Sequence, residues 1–316
     1  MTELERPAAG ASLVLSLFPG IDLLGRGFES EGFAVVRGPD LIFGGDIRTF
    51  SVPHGRFDGV IAGSPCQDFS RARRAPATGD GVAMLAEFCR LVFHARPSWW
   101  LLENVAGVPD VMVPGYSHCR IDLDARDCGL HQIRPRVFQF GHAAGMVPIV
   151  TRRARAAVDP SRCAMASEFS RPHRRGWPEF CELQGLPRDF ELPGFTLSAR
   201  YRAVGNGVPL PMARMIAAAV RDARALVPGE SVCRCGCGRI IAGRRELATV
   251  ACRKRAQRKR DAAAVTVSNP VTPTTSRLAV TDRAPGDGAP SPLAWSVTPT
   301  ARLAALAGQS AGEGAR

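Results

Sequence analysis

Cys66 stands in the octapeptide GSPCQDFS, residues 63–70. It follows Val60-Ile61-Ala62, a short apolar run rich in β-branched residues, which reads as the end of a buried strand. Pro65 stops that strand, so the thiol falls on the loop beyond its carboxyl end. In open α/β sheets this edge receives ligands and displays reactive side chains. A cysteine there can act as a nucleophile if its surroundings lower a thiol pKa of about 8.5; the alternative is a buried, inert thiol. A second candidate is Glu103, carried by the apolar run WWLLENV. Burying a carboxylate alone is costly, so Glu103 is either paired or raised in pKa.

The elements that must position these groups alternate. Leu13–Phe18 reads as a first strand broken by Pro19-Gly20, and Ile21–Glu31 carries helical spacing (Ile21, Leu24, Phe28) that ends at Gly32. Strands are expected at 33–36, 57–62, 99–105, 121–126 and 136–140. Helices are expected at 82–95, 177–184 and 209–226. Residues 70–80, SRARRAPATGD, read as a polar, basic loop. From His142 to Gly176 periodicity fails and seven arginines accumulate, which suggests an irregular basic insertion. The alternation predicts an α/β, doubly wound Rossmann-like fold with a largely parallel sheet.

The chain has 316 residues, 45% hydrophobic and 22% charged, with a net charge of +12. That composition suits one large core with a small appended module. A net +9 falls within residues 231–260, leaving the main domain mildly basic. An acidic partner is therefore expected chiefly near the C-terminus. No apolar run suggests a membrane span, and the N-terminus opens with two acids rather than a basic leader. The ten cysteines do not form a disulfide scaffold. A cytoplasmic location, in a bacterium or phage-infected cell, is the expectation.

Five or more separated stretches fall in the order of one family, and over about residues 12–222 the chain resembles the DNA cytosine-5 methyltransferases. SLFPGIDLLGRGFE looks like the first motif of that family and GGDI like the third. GSPCQ looks like the nucleophile motif and LLENV like the glutamate motif. Gln132-Ile133-Arg134-Pro135-Arg136 looks like Q-x-R-x-R, and CELQGLPRDF with VGNGVP resembles the last two. The resemblance implies methyl transfer from S-adenosylmethionine to cytosine carbon 5 of double-stranded DNA, on a base flipped out of the helix. It gives catalytic roles to Cys66 as covalent nucleophile, Glu103 as the acid at N3, and Arg134 as holder of the base and activator of the thiol. Gln132 and Arg136 would support the site and, with Gln67, Ser70 and Arg71, meet the substrate, under a lid formed by residues 70–80. Phe18, Gly20, Ile21, Asp46, Ile47, Pro65, Asn206 and Val208 would bind the cofactor, with Asp40 as a further candidate.

Two departures from the family pattern stand out. Asp22 occupies a usual glycine position, and Arg37 stands where the second strand normally offers an acid. The implied division is a catalytic core over 12–141 and 195–227 and a reduced target-recognition region over 142–194. That short interval predicts a short or relaxed target site.

Residues 233–260 resemble small zinc-binding modules that end in a basic helix. Cys233, Cys235, Cys237 and Cys252 could supply four thiolates to a structural zinc within a module over 228–262. A metal-free, DNA-anchoring helix is the alternative. Residues 263–316, poor in core formers, are expected to be disordered. The expected chain is a monomer, with any restriction endonuclease a separate protein. A catalytically silent DNA-binding shell and a transfer-RNA methyltransferase remain as other readings.

Overall fold

In a computed structural model the described residues are 11–70, 73, 76–157, 159–254 and 256–257. The expected tail at 263–316 and Arg71 lie outside them. The apolar runs singled out above become the central strands: β1 (Leu13–Leu17), β2 (Ala34–Arg37), β3 (Gly59–Gly63) and β4 (Trp99–Asn104). β5 (Cys119–Asp124) and β6 (Pro135–His142) complete a six-stranded sheet in the order β2-β1-β3-β4-β6-β5. β1 to β4 pair in parallel, while β6 runs antiparallel to both β4 and β5. Five strands therefore share one direction and β6 alone is reversed. This is the largely parallel α/β sheet expected, with its order turning back at β1.

The period of two along the strands sorts their side chains between two helical layers. Val14, Ile61, Trp99 and Leu101 face α1 (Leu23–Glu29) and α5 (Leu210–Arg221), against Phe28, Met212, Ala213 and Ile216. Leu15, Leu17, Val60, Ala62, Trp100 and Leu102 face α2 (Asp80–Ala95), against Leu85, Phe88 and Leu91. Each such fully buried side chain contributes about 1.5–3 kcal/mol. At Gly27 the helices α1 and α5 approach so closely that a Cβ would lie 2.4 Å from that of Ala213.

Helix α1 starts two residues later than its periodicity suggests. Asp22 adopts a left-handed conformation (φ +54°) and caps the helix by accepting a hydrogen bond from the Gly25 amide. A second lobe, with Leu23, Phe180, Leu186, Tyr201 and Val204 at its centre, packs around α3 (Trp177–Leu183) and α4 (Leu197–Asn206). Helix α4 was not anticipated, although Leu197, Tyr201 and Val204 carry its spacing and the Thr196 hydroxyl caps it. Leu197–Arg221 is long and apolar enough to suggest a membrane span, but it is broken at residues 207–209 and is more than half buried in the protein.

Among its described residues the interval is irregular, made of turns and one short 3-10 helix at Glu168–Ser170. Its arginines, however, are largely engaged internally. Arg162, Arg171 and Arg175 converge on the fully buried Glu168, and Arg152 and Arg155 on Asp127. A hairpin of β7 (Glu230–Val232) and β8 (Ile240–Ala242) then precedes a helical turn from residue 250.

Candidate active site

The pocket lies at the carboxyl ends of the parallel strands, where such sheets bind ligands. It has a volume of about 670 Å³. One end is built by the loop after β1. Phe18, Gly20 and Asp22 all have positive φ (54°, 55° and 54°). The two non-glycine residues each store roughly 1 kcal/mol or more of strain, which fixes the loop before any ligand arrives. Asp40 anchors it further, accepting from the Gly20 amide at 2.8 Å and the Ile42 amide at 2.9 Å. Asp46 caps the turn that carries Ile47. Phe18, Gly20, Ile21, Asp40, Asp46, Ile47, Pro65, Asn206 and Val208 all line the pocket.

The two departures noted in the sequence meet each other. Arg37 Nε lies 2.9 Å from Asp22 Oδ2, and Ser16 Oγ donates to Asp22 Oδ1 at 2.9 Å. Burial raises the Asp22 pKa, opposed by Ser16 and Arg37. The added carboxylate is thus consumed inside the fold by the added guanidinium.

At the other end, Cys66 follows β3 on a loop tied to β4. Asn104 donates from its side-chain amide to Ser64 O at 3.1 Å and Ser64 Oγ at 2.9 Å. Beyond Cys66, the carboxylate of Asp68 accepts from the Thr78 and Gly81 amides, holding the loop to the start of α2. Glu103, at the end of β4, is buried and paired with Arg136 (Nε to Oε1, 2.9 Å). Desolvation raises the pKa of Glu103 despite Arg136 and Arg134. Burial also pushes the Cys66 thiol up, and the Glu103 charge adds to it, while Arg136 and Arg134 oppose both. Neutralising Glu103 would remove one of the two effects that raise it.

Cys66, Gln67, Glu103 and Arg136 line the same cavity as the strained loop. Arg134, Gln132 and Ser70 do not. Arg134, expected to hold the base, is instead buried at 1% exposure. Its guanidinium donates to the carbonyls of Ala164, Gly205 (2.7 Å) and Gly207 (2.8 Å), and to Cys163 Sγ at 3.1 Å. Desolvation, and then Arg136, brings its pKa down to about 10, so it stays charged at neutral pH.

Gln132, expected at the substrate, is likewise buried. It donates to Leu183 O and to Gln184 Oε1 (3.0 Å) and accepts from the Ala164 amide. Arg134 precedes β6 and its guanidinium turns toward the carbonyls of residues 164, 205 and 207, whereas Arg136 lies within β6 beside Glu103. Gln184 was missed as part of this knot: it donates to Val204 O and Gly207 O and so supports the Asn206–Val208 wall. Its place in CELQGLPRDF was the available signal.

The sheet order and the pocket at the strand ends are those of an α/β fold of the Rossmann-like methyltransferase type. The family model "C-5 cytosine-specific DNA methylase" matches residues 43–162. Over those residues the chain is similar to the C5-methyltransferases. It is similar to the Type II methyltransferase M.HgiDI of Herpetosiphon aurantiacus, 32% identical over 98 residues that make up 28% of this chain and 32% of that protein. Against the Type II methyltransferase M.AquIA of Picosynechococcus it is 28% identical over 179 residues, 42% of this chain and 72% of that protein. The first relatives are matched over about a quarter to a half of their own length. Among solved structures, a methyltransferase of Entamoeba histolytica aligns with a TM-score of 0.49 at 13% identity, over 68% of this chain and 99% of that one.

Proposed function

We propose that this chain methylates carbon 5 of cytosine in double-stranded DNA, using S-adenosylmethionine and a covalent adduct between Cys66 and ring carbon 6. The observation that carries this reading is that Cys66, Glu103 and Arg136 share one cavity with the strained 18–22 loop. The residues at the loop end suit the cofactor: aromatic and aliphatic faces from Phe18 and Ile47, carboxylates from Asp40 and Asp46, and polar Asn206. Bound there, S-adenosylmethionine supplies an electrophilic methyl group on a sulfonium.

The chain's own residues supply the rest. The Cys66 thiol releases its proton to water as its sulfur adds to C6, forming the C–S bond and shifting the C5–C6 π electrons onto C5. Protonated Glu103 donates to N3, which makes that addition easier and also removes the negative charge that disfavours the thiolate. Once C5 carries the methyl group, loss of the C5 proton expels Cys66, breaking the C–S bond and restoring the aromatic ring. Arg136, rather than Arg134, is the arginine that orients Glu103 and faces the base. Arg134 is a positioning residue that holds the Asn206–Val208 wall.

The reading extends to a monomeric, cytoplasmic modification enzyme with a separate endonuclease, since the relatives are Type II methyltransferases. A relaxed target site is supported by the internal pairing of five of the seven arginines between 142 and 176. The test is labelled methyl transfer to duplex DNA and to transfer RNA, with wild type beside Cys66→Ala. Transfer to DNA that vanishes in the variant is expected. Transfer to transfer RNA alone, or none to either, would sink the proposal.

A further inference from the structure

The C-terminal cysteines form a group outside the pocket. The Sγ atoms of Cys233, Cys235, Cys237 and Cys252 all lie within 4.8 Å of one another, and all four residues are buried. Cys233 and Cys235 sulfurs are 3.6 Å apart, and those of Cys237 and Cys252 3.7 Å. A tetrahedral zinc with Zn–S bonds of about 2.3 Å sets its sulfurs about 3.8 Å apart. The spacing is far from the roughly 2.05 Å of a disulfide. Donors also point at these sulfurs. The Ala248 amide donates to Cys233 Sγ and Thr249 Oγ1 to Cys252 Sγ, each at 3.2 Å, with the Arg239 guanidinium beside Cys252. Such contacts stabilise thiolates and orient them around a metal. Among the described residues, the apolar side chains packed around the cluster are Ile241, Leu247, Ala248 and Ala256. A unit of this size needs a staple beyond its core.

The same loop lies on the outer strand of the catalytic sheet. β5 pairs with β6 on one side only. On its other side the Asp122 amide donates to Gly236 O at 3.2 Å, and Ile121 forms an antiparallel bridge with Cys237. The Arg152 guanidinium spans the carbonyls of Asp122 and Cys237. At Gly238 (φ +70°) a Cβ would lie 2.7 Å from Ile121 Cγ1, so only glycine fits the contact. Gly236, which accepts from β5, is bracketed by Cys235 and Cys237.

We propose that Cys233, Cys235, Cys237 and Cys252 bind one zinc ion as four thiolates, and that the metal-fixed loop closes the free edge of the catalytic sheet. An unpaired edge is a site of fraying and of pairing with other chains, and covering it is a recognised remedy. Soft thiolate donors in a tetrahedral set favour zinc among the common divalent ions. The ion has a structural part only, with no open position for a substrate. Metal occupancy is thereby linked to the stability of the methyltransferase core, because the loop exists as a cap only when its ligands are gathered.

The experiment uses the full chain and reads metal and stability rather than methyl transfer, so it stands apart from the proposed reaction. Elemental analysis should find one zinc per chain in wild type and less than about a tenth of that in Cys235→Ser. Cobalt(II) added to the stripped protein should give the visible bands of a tetrahedral thiolate site. Stripping zinc should lower the melting temperature of the catalytic core by several degrees, and re-addition should restore it. Gly238→Ala, which keeps all four ligands, should still bind zinc but lose most of that metal-dependent rise. Wild type that neither carries nor takes up stoichiometric zinc would overturn the metal site. Zinc binding with no effect on core melting, or a Gly238→Ala variant that keeps the full rise, would overturn the capping role.

Discussion

Two buried polar groups, Arg134 and Glu103, do opposite things. Around Arg134 every donor direction but one is met by a carbonyl or a thiol, and Gln132 and Gln184 close the rest of the knot. Around Glu103, one arginine balances one carboxyl beside a cavity, and the carboxyl is left with a raised pKa. The first arrangement ties one guanidinium to several separate segments, with Arg134 Nε left over. The second joins one carboxyl to one arginine at the wall of a cavity, where perturbed titratable groups mark candidate sites.

Breaking the contrast at its strongest point means removing the nucleophile. Cys66→Ala should lose methyl transfer by on the order of 10³-fold or more, while its melting temperature stays within a few degrees of wild type. A large fall in melting temperature would mean that the thiol is structural after all. Arg134→Met should show the reverse signature, a stability loss of about 3–5 kcal/mol as carbonyls are left unpaired in the interior. Thermal denaturation reads it, and an unchanged melting temperature with lost activity would return Arg134 to the catalytic group.

A finer probe is Arg136→Gln. Arg136 is the largest influence opposing the raised pKa of Glu103, so its removal should raise that pKa further. The form with Glu103 protonated then persists to higher pH, and the alkaline limb of the activity profile should move upward. Activity at the optimum should fall roughly 10²-fold, the scale of a lost general acid–base contact. A limb that moves to lower pH would contradict the assignment. The smallest effect is expected at the compensated pair. Arg37→Ala and Asp22→Gly should each cost about 1 kcal/mol, the scale of a lost helix cap or a half-exposed ion pair. The double variant should cost less than their sum, a coupling that a double-mutant cycle in denaturant measures.

Much of the fold was legible because its strands are short apolar runs closed by Gly or Pro, and parallel strands must be apolar on both faces. The cofactor loop and Cys66 were legible for the same reason, since strand ends determine what the loops display. Helix α4 was passed over because five polar or small residues separate Leu197, Tyr201 and Val204. That Arg136 lines the cavity while Arg134 is buried among carbonyls was not legible, because a linear motif does not say which of two arginines faces the protein. Asp22 and Arg37, read separately as oddities, were one feature, and only proximity in space makes that visible.

The wall at Asn206–Val208 comes from chain made nearly two hundred residues after the loop it faces. Helix α1, too, is completed only when Gly27 meets Ala213 of α5. During synthesis, the first strand and its loop therefore emerge from the ribosome long before their counterpart. A nascent chain released or cleaved before residue 206 would possess the thiol and the carboxyl but no closed cofactor chamber. Under the proposed function, such a fragment lacks the wall that would hold the methyl donor.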